Sequence, residues 1–86
     1  MTQAAEQGQG YVVTGGGRGV GRAIVELLVG RGGTVAMIER DHAALDWIPQ
    51  HPHSARLVPV LGDPGDDAVA GRAVDQLRTA PDLPDG

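Results

Sequence analysis

The chain has 86 residues, enough for one small domain with a modest buried fraction. Its formal net charge of −4 argues against nucleic acid and anionic membrane surfaces as partners. It has no cysteine, hence no disulfide framework and no thiolate metal site, and no apolar run approaches the length of a membrane span.

In chain order, residues 1–9 form a polar lead without the basic cluster and apolar stretch of a signal peptide, and a cytoplasmic location is expected. Tyr11-Val12-Val13-Thr14 is a short apolar run ending in glycines, which predicts a buried strand. From Gly19 to Gly30, Val20, Ile24, Leu27 and Leu28 recur at helical spacing, and Gly30, Gly32 and Gly33 stop the helix. Thr34 to Ile38 is a continuous apolar run whose lack of alternation suits a strand covered on both faces. Asp41 is placed to cap a short helix through Leu45 and Trp47, terminated by Pro49 and Pro52. Arg56 to Leu61 reads as a third strand, with Pro59 favouring an edge position. Asp63, Pro64 and Gly65 turn the chain into a last helix. Its face is Val69, Ala70, Ala73, Val74 and Leu77, and it ends near Pro81. The tail from Pro81 to Gly86 reads as a loop. Strand and helix alternate three times, which predicts an α/β domain over residues 10–86 with an open parallel sheet and right-handed crossovers. The core should be thin, since the sequence holds no Phe and only Trp47 and Tyr11 as aromatics.

The segment TGGGRGVG, Thr14 to Gly21, carries five glycines in eight positions directly after the first strand. A strand, glycines and then a helix present unpaired backbone N–H groups and the positive end of a helix dipole, where phosphate binds well. The dinucleotide fingerprint G-x-G-x-x-G fails in every register, because Val20, Arg22 or Ile24 replaces the last glycine. A nucleoside-triphosphate loop fails too, with Arg22 and Ala23 where Lys and Ser or Thr must contact phosphate and Mg²⁺.

The pattern that fits is T-G-x-x-x-G-x-G, with Thr14, Gly15, Gly19 and Gly21 in place. TGGGRGVGRA resembles the cofactor loop of the short-chain dehydrogenase/reductase family. The resemblance implies a partial Rossmann fold, three parallel strands in the order 3-2-1 with flanking helices, binding NAD or, alternatively, NADP. It also implies that Gly15 forms the turn, with Gly17 and Arg18 inside the loop. Gly19 and Gly21 would allow close approach to the pyrophosphate, and the Val20 backbone would donate to it.

Glu39 ends the second strand, about 20 residues beyond the loop, where a carboxylate can bond the adenosine ribose hydroxyls. It favours NAD by repelling a 2′-phosphate. Arg18 and Arg40 pull toward NADP, since the family's NADP users often carry basic residues there. Asp63 matches the family's acidic residue at adenine, or alternatively caps the turn before the last helix. Pro64 departs from the family pattern, having no N–H to give adenine.

The family's chemistry rests on Asn, Ser and a Tyr-x-x-x-Lys pair, in which lysine lowers the phenol pKa for proton exchange. This chain has no lysine and no asparagine, its one tyrosine is Tyr11 and its one serine is Ser54. No catalytic residue is assigned, and the 86-residue chain by itself is expected to be inactive. His42, His51 and His53 read as loop histidines and not as a metal site, lacking clustered carboxylates or cysteines. The resemblance spans nearly the whole chain but only the opening part of a family member, so the sequence reads as a truncated oxidoreductase ending before the fourth strand. That leaves the first strand as an open apolar edge, through which self-association or pairing with a homologue is expected. A non-catalytic binding module and a non-functional gene fragment are the competing readings.

Overall fold

The computed structural model describes residues 9–79, so the expected polar lead, apart from Gln9, and the expected C-terminal loop lie outside the described residues. Strand β1 (Gly10–Thr14) leads into helix α1 (Gly19–Gly30), and strand β2 (Thr34–Glu39) follows. Three single 3₁₀ turns, His42–Leu45, Ile48–Gln50 and Ser54–Arg56, lead into strand β3 (Leu57–Leu61) and helix α2 (Asp67–Arg78). The sheet is parallel throughout, with β2 between β1 and β3, which is the expected order. Tyr11 pairs with Val35, and Val35 with Leu57.

Strand β2 is buried from Thr34 to Ile38, as an apolar run flanked by strands and covered on both faces must be. Its alternate residues serve two cores. Val35 and Met37 face Val25, Leu28 and Val29 of α1, together with Leu45 and Ile48 from the turns. Ala36 and Ile38 pack with Val60 of β3 and with Val69, Ala73 and Leu77 of α2. Burying one such aliphatic side chain contributes about 1.5–3 kcal/mol. Pro59 stands opposite Met37 on β3, an edge strand among the described residues, so its missing N–H leaves no ladder partner unpaired on the outer side.

Four expectations need correction. The first is that β1 is a buried strand: none of its residues is buried and Val12 is 41% exposed, because its outer edge has no strand partner among the described residues. The buried face of α1 is Val25, Leu28 and Val29, while Val20 is 79% exposed and Leu27 48%. This helix is apolar on most of its circumference, so periodicity alone admits neighbouring stripes, and the sheet's position selects between them. On α2, Val69, Ala73 and Leu77 are buried, but Val74 is 40% exposed at the margin of the face. The expected short helix after Asp41 is instead a succession of 3₁₀ turns. Asp41 does cap the first, its carboxylate accepting the Ala43 N–H at 3.0 Å. Pro49 lies in the first turn of the second 3₁₀ element, where a backbone N–H would have no partner in the turn, so the N–H that proline lacks is not missed.

Candidate functional site: the glycine loop and the carboxyl ends of the strands

Parallel strands all end on one side, so Thr14, Glu39 and Leu61, with the loops that follow them, share one edge of the sheet. The glycine loop begins where the Gly15 N–H continues the ladder to the Ile38 carbonyl at 2.9 Å. Gly15 has φ +67° and Gly19 φ +55°, a left-handed backbone that side chains resist, and together they fold the loop back onto the start of α1.

Gly17 is fixed by three neighbours. Its N–H donates to Glu39 Oε2 at 2.8 Å, its carbonyl accepts from the Trp47 indole at 3.2 Å, and a Cβ there would collide with the Ala44 backbone carbonyl. Gly21 is likewise needed inside the chain, because a Cβ would run into the Gly15 carbonyl.

Arg18 is the residue preceding α1, in an extended conformation with no side-chain cap, and its carbonyl receives the Arg22 N–H at 3.1 Å. The N–H groups of Gly16, Arg18, Gly19, Val20 and Gly21 meet no acceptor among the described residues. The first turn of any helix leaves such donors unpaired, and here no side chain satisfies them. The Val20 side chain points to solvent. The result is a cluster of free donors at the positive end of a twelve-residue helix.

Two arginine–aspartate pairs flank the loop. Arg18 meets Asp41 at 2.5 Å, and Arg40 meets Asp63 at 3.0 Å, both at the surface. The Arg18 guanidinium and then the Ala43 N–H hold the Asp41 carboxyl below its ordinary value. Asp63 is also lowered, first by the Gly65 N–H at 2.8 Å and then by Arg40. Asp63 therefore caps the turn before α2, one of the two roles weighed for it, while Asp66 caps the helix itself through the Ala68 N–H at 2.9 Å. That both arginines contact carboxylates was not legible in the sequence, since each pair is 23 residues apart.

The histidines are dispersed. His51 Nε2 lies 2.6 Å from Glu26, His53 Nδ1 lies 2.9 Å from Arg56, and His42 lies 3.7 Å from Asp46. An apolar cavity of about 350 Å³ lies between Leu45, Ile48, Pro49, Pro59 and Leu61, with none of the glycine-loop residues in its wall. Among the described residues no helix is long and apolar enough to cross a membrane.

No family model matches the chain. It is 42% identical over 52 residues to a cis-2,3-dihydrobiphenyl-2,3-diol dehydrogenase of Pseudomonas sp. (strain KKS102), covering 60% of this chain and 18% of that protein. It is 40% identical over 57 residues to a cis-1,2-dihydrobenzene-1,2-diol dehydrogenase of Pseudomonas putida, covering 66% and 20%. The chain thus spans about a fifth of the length of the curated relatives it matches. Its fold matches a short-chain dehydrogenase/reductase of Brucella melitensis with a TM-score of 0.73 at 26% identity, over 88% of this chain and 32% of that one. A short-chain dehydrogenase from Streptomyces avermitilis matches with a TM-score of 0.65 at 32% identity, over 88% and 28%. The C-domain of a bacterial malonyl-CoA reductase, solved with NADP, shares the fold with a TM-score of 0.72 at 23% identity, over 87% and 13%. In sequence and fold together the chain is similar to a portion of the short-chain dehydrogenases/reductases.

Proposed function

We propose that the chain holds the adenosine-diphosphate side of a nicotinamide dinucleotide, as the cofactor-binding part of an oxidoreductase. The observation that carries this reading is the cluster of N–H groups at Gly16 and from Arg18 to Gly21, unpaired among the described residues, at the start of α1. The donor set fits a diphosphate: backbone N–H groups and a helix dipole, with no side chain filling the space a Cβ at Gly19 would occupy. When bound, the nicotinamide would give or accept hydride. This chain's own residues would bind and orient the other end of the molecule.

Gly15, Gly17, Arg18, Gly19, Val20 and Gly21 form the loop in this reading, Glu39 faces the ribose, and Asp63 borders the adenine. NAD is the preferred form. Glu39 lies against the loop, and the two arginines that could attract a 2′-phosphate are each engaged by an aspartate. Without lysine or asparagine the 86-residue chain performs no hydride transfer alone. A cytoplasmic location accompanies the reading, as composition led us to expect.

Titration calorimetry with NAD⁺ tests it. The wild-type chain should bind and Gly19→Asp should not, because it sets a carboxylate among the free donors and strains a φ of +55°. Equal heats from both would refute the proposal, as would carbonyl reduction by the isolated chain.

A second reading is favoured by the outer edge of β1, which has no strand partner among the described residues. In that reading the chain associates with itself or with a homologous dehydrogenase by extending the sheet. Sedimentation at several concentrations separates the two. An unchanging monomer that binds NAD⁺ supports the first reading alone.

A further inference from the structure

Trp47 lies 30 residues beyond Gly17, between the first and second 3₁₀ turns, and donates its indole N–H to the Gly17 carbonyl at 3.2 Å. The Gly17 N–H is held by Glu39 from the opposite polar end of the same residue. Both polar groups of one loop glycine are therefore fixed by side chains from outside the loop. The indole is itself held from α1. The Arg22 guanidinium stands 4.3 Å from its ring centroid, and His51 meets the ring edge-on at 5.6 Å while bonded to Glu26. Arg22 and Glu26 approach within 3.6 Å one turn apart, so the helix that follows the loop also braces the tryptophan that orients it.

A peptide unit is planar and trans, so a carbonyl and the N–H that follows it point in opposite directions. Fixing the Gly17 carbonyl on the indole therefore turns the Arg18 N–H away from Trp47. That N–H has no acceptor among the described residues. We infer that Trp47 is a positioning residue, which sets the Gly17–Arg18 peptide plane so that the Arg18 N–H stands ready for an anionic oxygen of the dinucleotide. The inference rests on the dinucleotide reading and adds a residue that the glycine pattern does not contain. A donor oriented before binding strengthens the complex, because its ordering cost is already met in the free protein. A ring that only filled space there would need no N–H; the geometry requires the donor.

The test uses the full chain with Trp47 replaced by its benzothiophene isostere, which keeps the shape and removes the N–H, and in parallel Trp47→Phe. Two quantities are read: the ¹⁵N order parameter of the Arg18 amide without ligand, and NAD⁺ affinity by calorimetry. In both variants the order parameter should fall from about 0.85 toward 0.6. Affinity should drop about fivefold, the equivalent of one hydrogen bond. An unchanged Arg18 order parameter in the benzothiophene protein, or undiminished NAD⁺ affinity, would overturn the inference. If the wild-type chain binds no NAD⁺, the dinucleotide reading fails together with the ligand half of this inference. The order parameter then still decides whether Trp47 sets the peptide plane.

Discussion

Glu39 Oε2 accepts the Gly17 N–H at 2.8 Å, joining the last residue of β2 to the middle of the glycine loop. The carboxylate thereby has a structural role that does not depend on any ligand. Two substitutions separate that role from cofactor choice. Glu39→Ala removes the acceptor from a part-buried donor and should cost about 1–2 kcal/mol of stability in urea unfolding. Glu39→Gln keeps an acceptor and loses the charge, so its stability should stay near wild type, while the proposed preference for NAD over NADP should narrow. Equal destabilisation by both would show that the charge itself holds the loop.

The reassigned face of α1 can be checked with two adjacent residues of the same type. Leu28 is 4% exposed and Leu27 48%. Leu28→Ala should cost about 2–5 kcal/mol, which approaches the whole stability of so small a domain. Leu27→Ala should change it by about 0.5 kcal/mol or less. Thermal or denaturant unfolding of the pair decides, and a reversed order would restore the stripe through Val20 and Leu27.

Thr34 opens β2 at 1% exposure, and its hydroxyl has no hydrogen-bond partner among the described residues. Burying an unpaired hydroxyl costs about 1–3 kcal/mol on mutational scales. Thr34→Val keeps the branched shape and removes the oxygen, so it should raise the unfolding free energy by about 1 kcal/mol. A loss of stability would mean that the hydroxyl is satisfied in solution, by water for example.

Asp41 and Asp63 both titrate below the ordinary value of 3.8 in the folded chain. Each therefore favours the folded state at any pH above 3.8, and that contribution disappears as the pH falls below 3.8 through the folded values. Both groups lie at the surface, so the effect is small, and the share owed to Arg18 and Arg40 is screened by salt. The thermal midpoint of Asp41→Asn should fall less steeply below pH 4 than that of the wild type. Parallel profiles for the two proteins would remove Asp41 from the account.

Much of this arrangement could be read along the chain. The bounds of α1, the buried run of β2, the edge position of Pro59 and the strand order all follow from local pattern and chain connectivity. Gly19 fits the same description, because a positive φ at the start of a helix is a local demand. What escaped was set by distant neighbours. Arg18 and Arg40 read as free cations until folding brings Asp41 and Asp63 to them. Trp47 reads as one more apolar residue of a short helix until its indole meets Gly17. Periodicity on α1 picked out Ile24 and Leu28 on the inward side but also the exposed Val20 and Leu27, because an apolar surface on several sides has no unique inward direction.

Strand β2 touches both cores, with odd-numbered Val35 and Met37 on one and even-numbered Ala36 and Ile38 on the other. Neither helix layer has a second strand buried as completely to rely on. The domain is therefore built around a single keel. A disturbance on the α2 face reaches the α1 face through one backbone, and the glycine loop is tied to that backbone at Ile38 and Glu39. In amide hydrogen exchange the two layers should then open as one unit, so that the grip of the loop and the integrity of the far helix are lost at the same free energy.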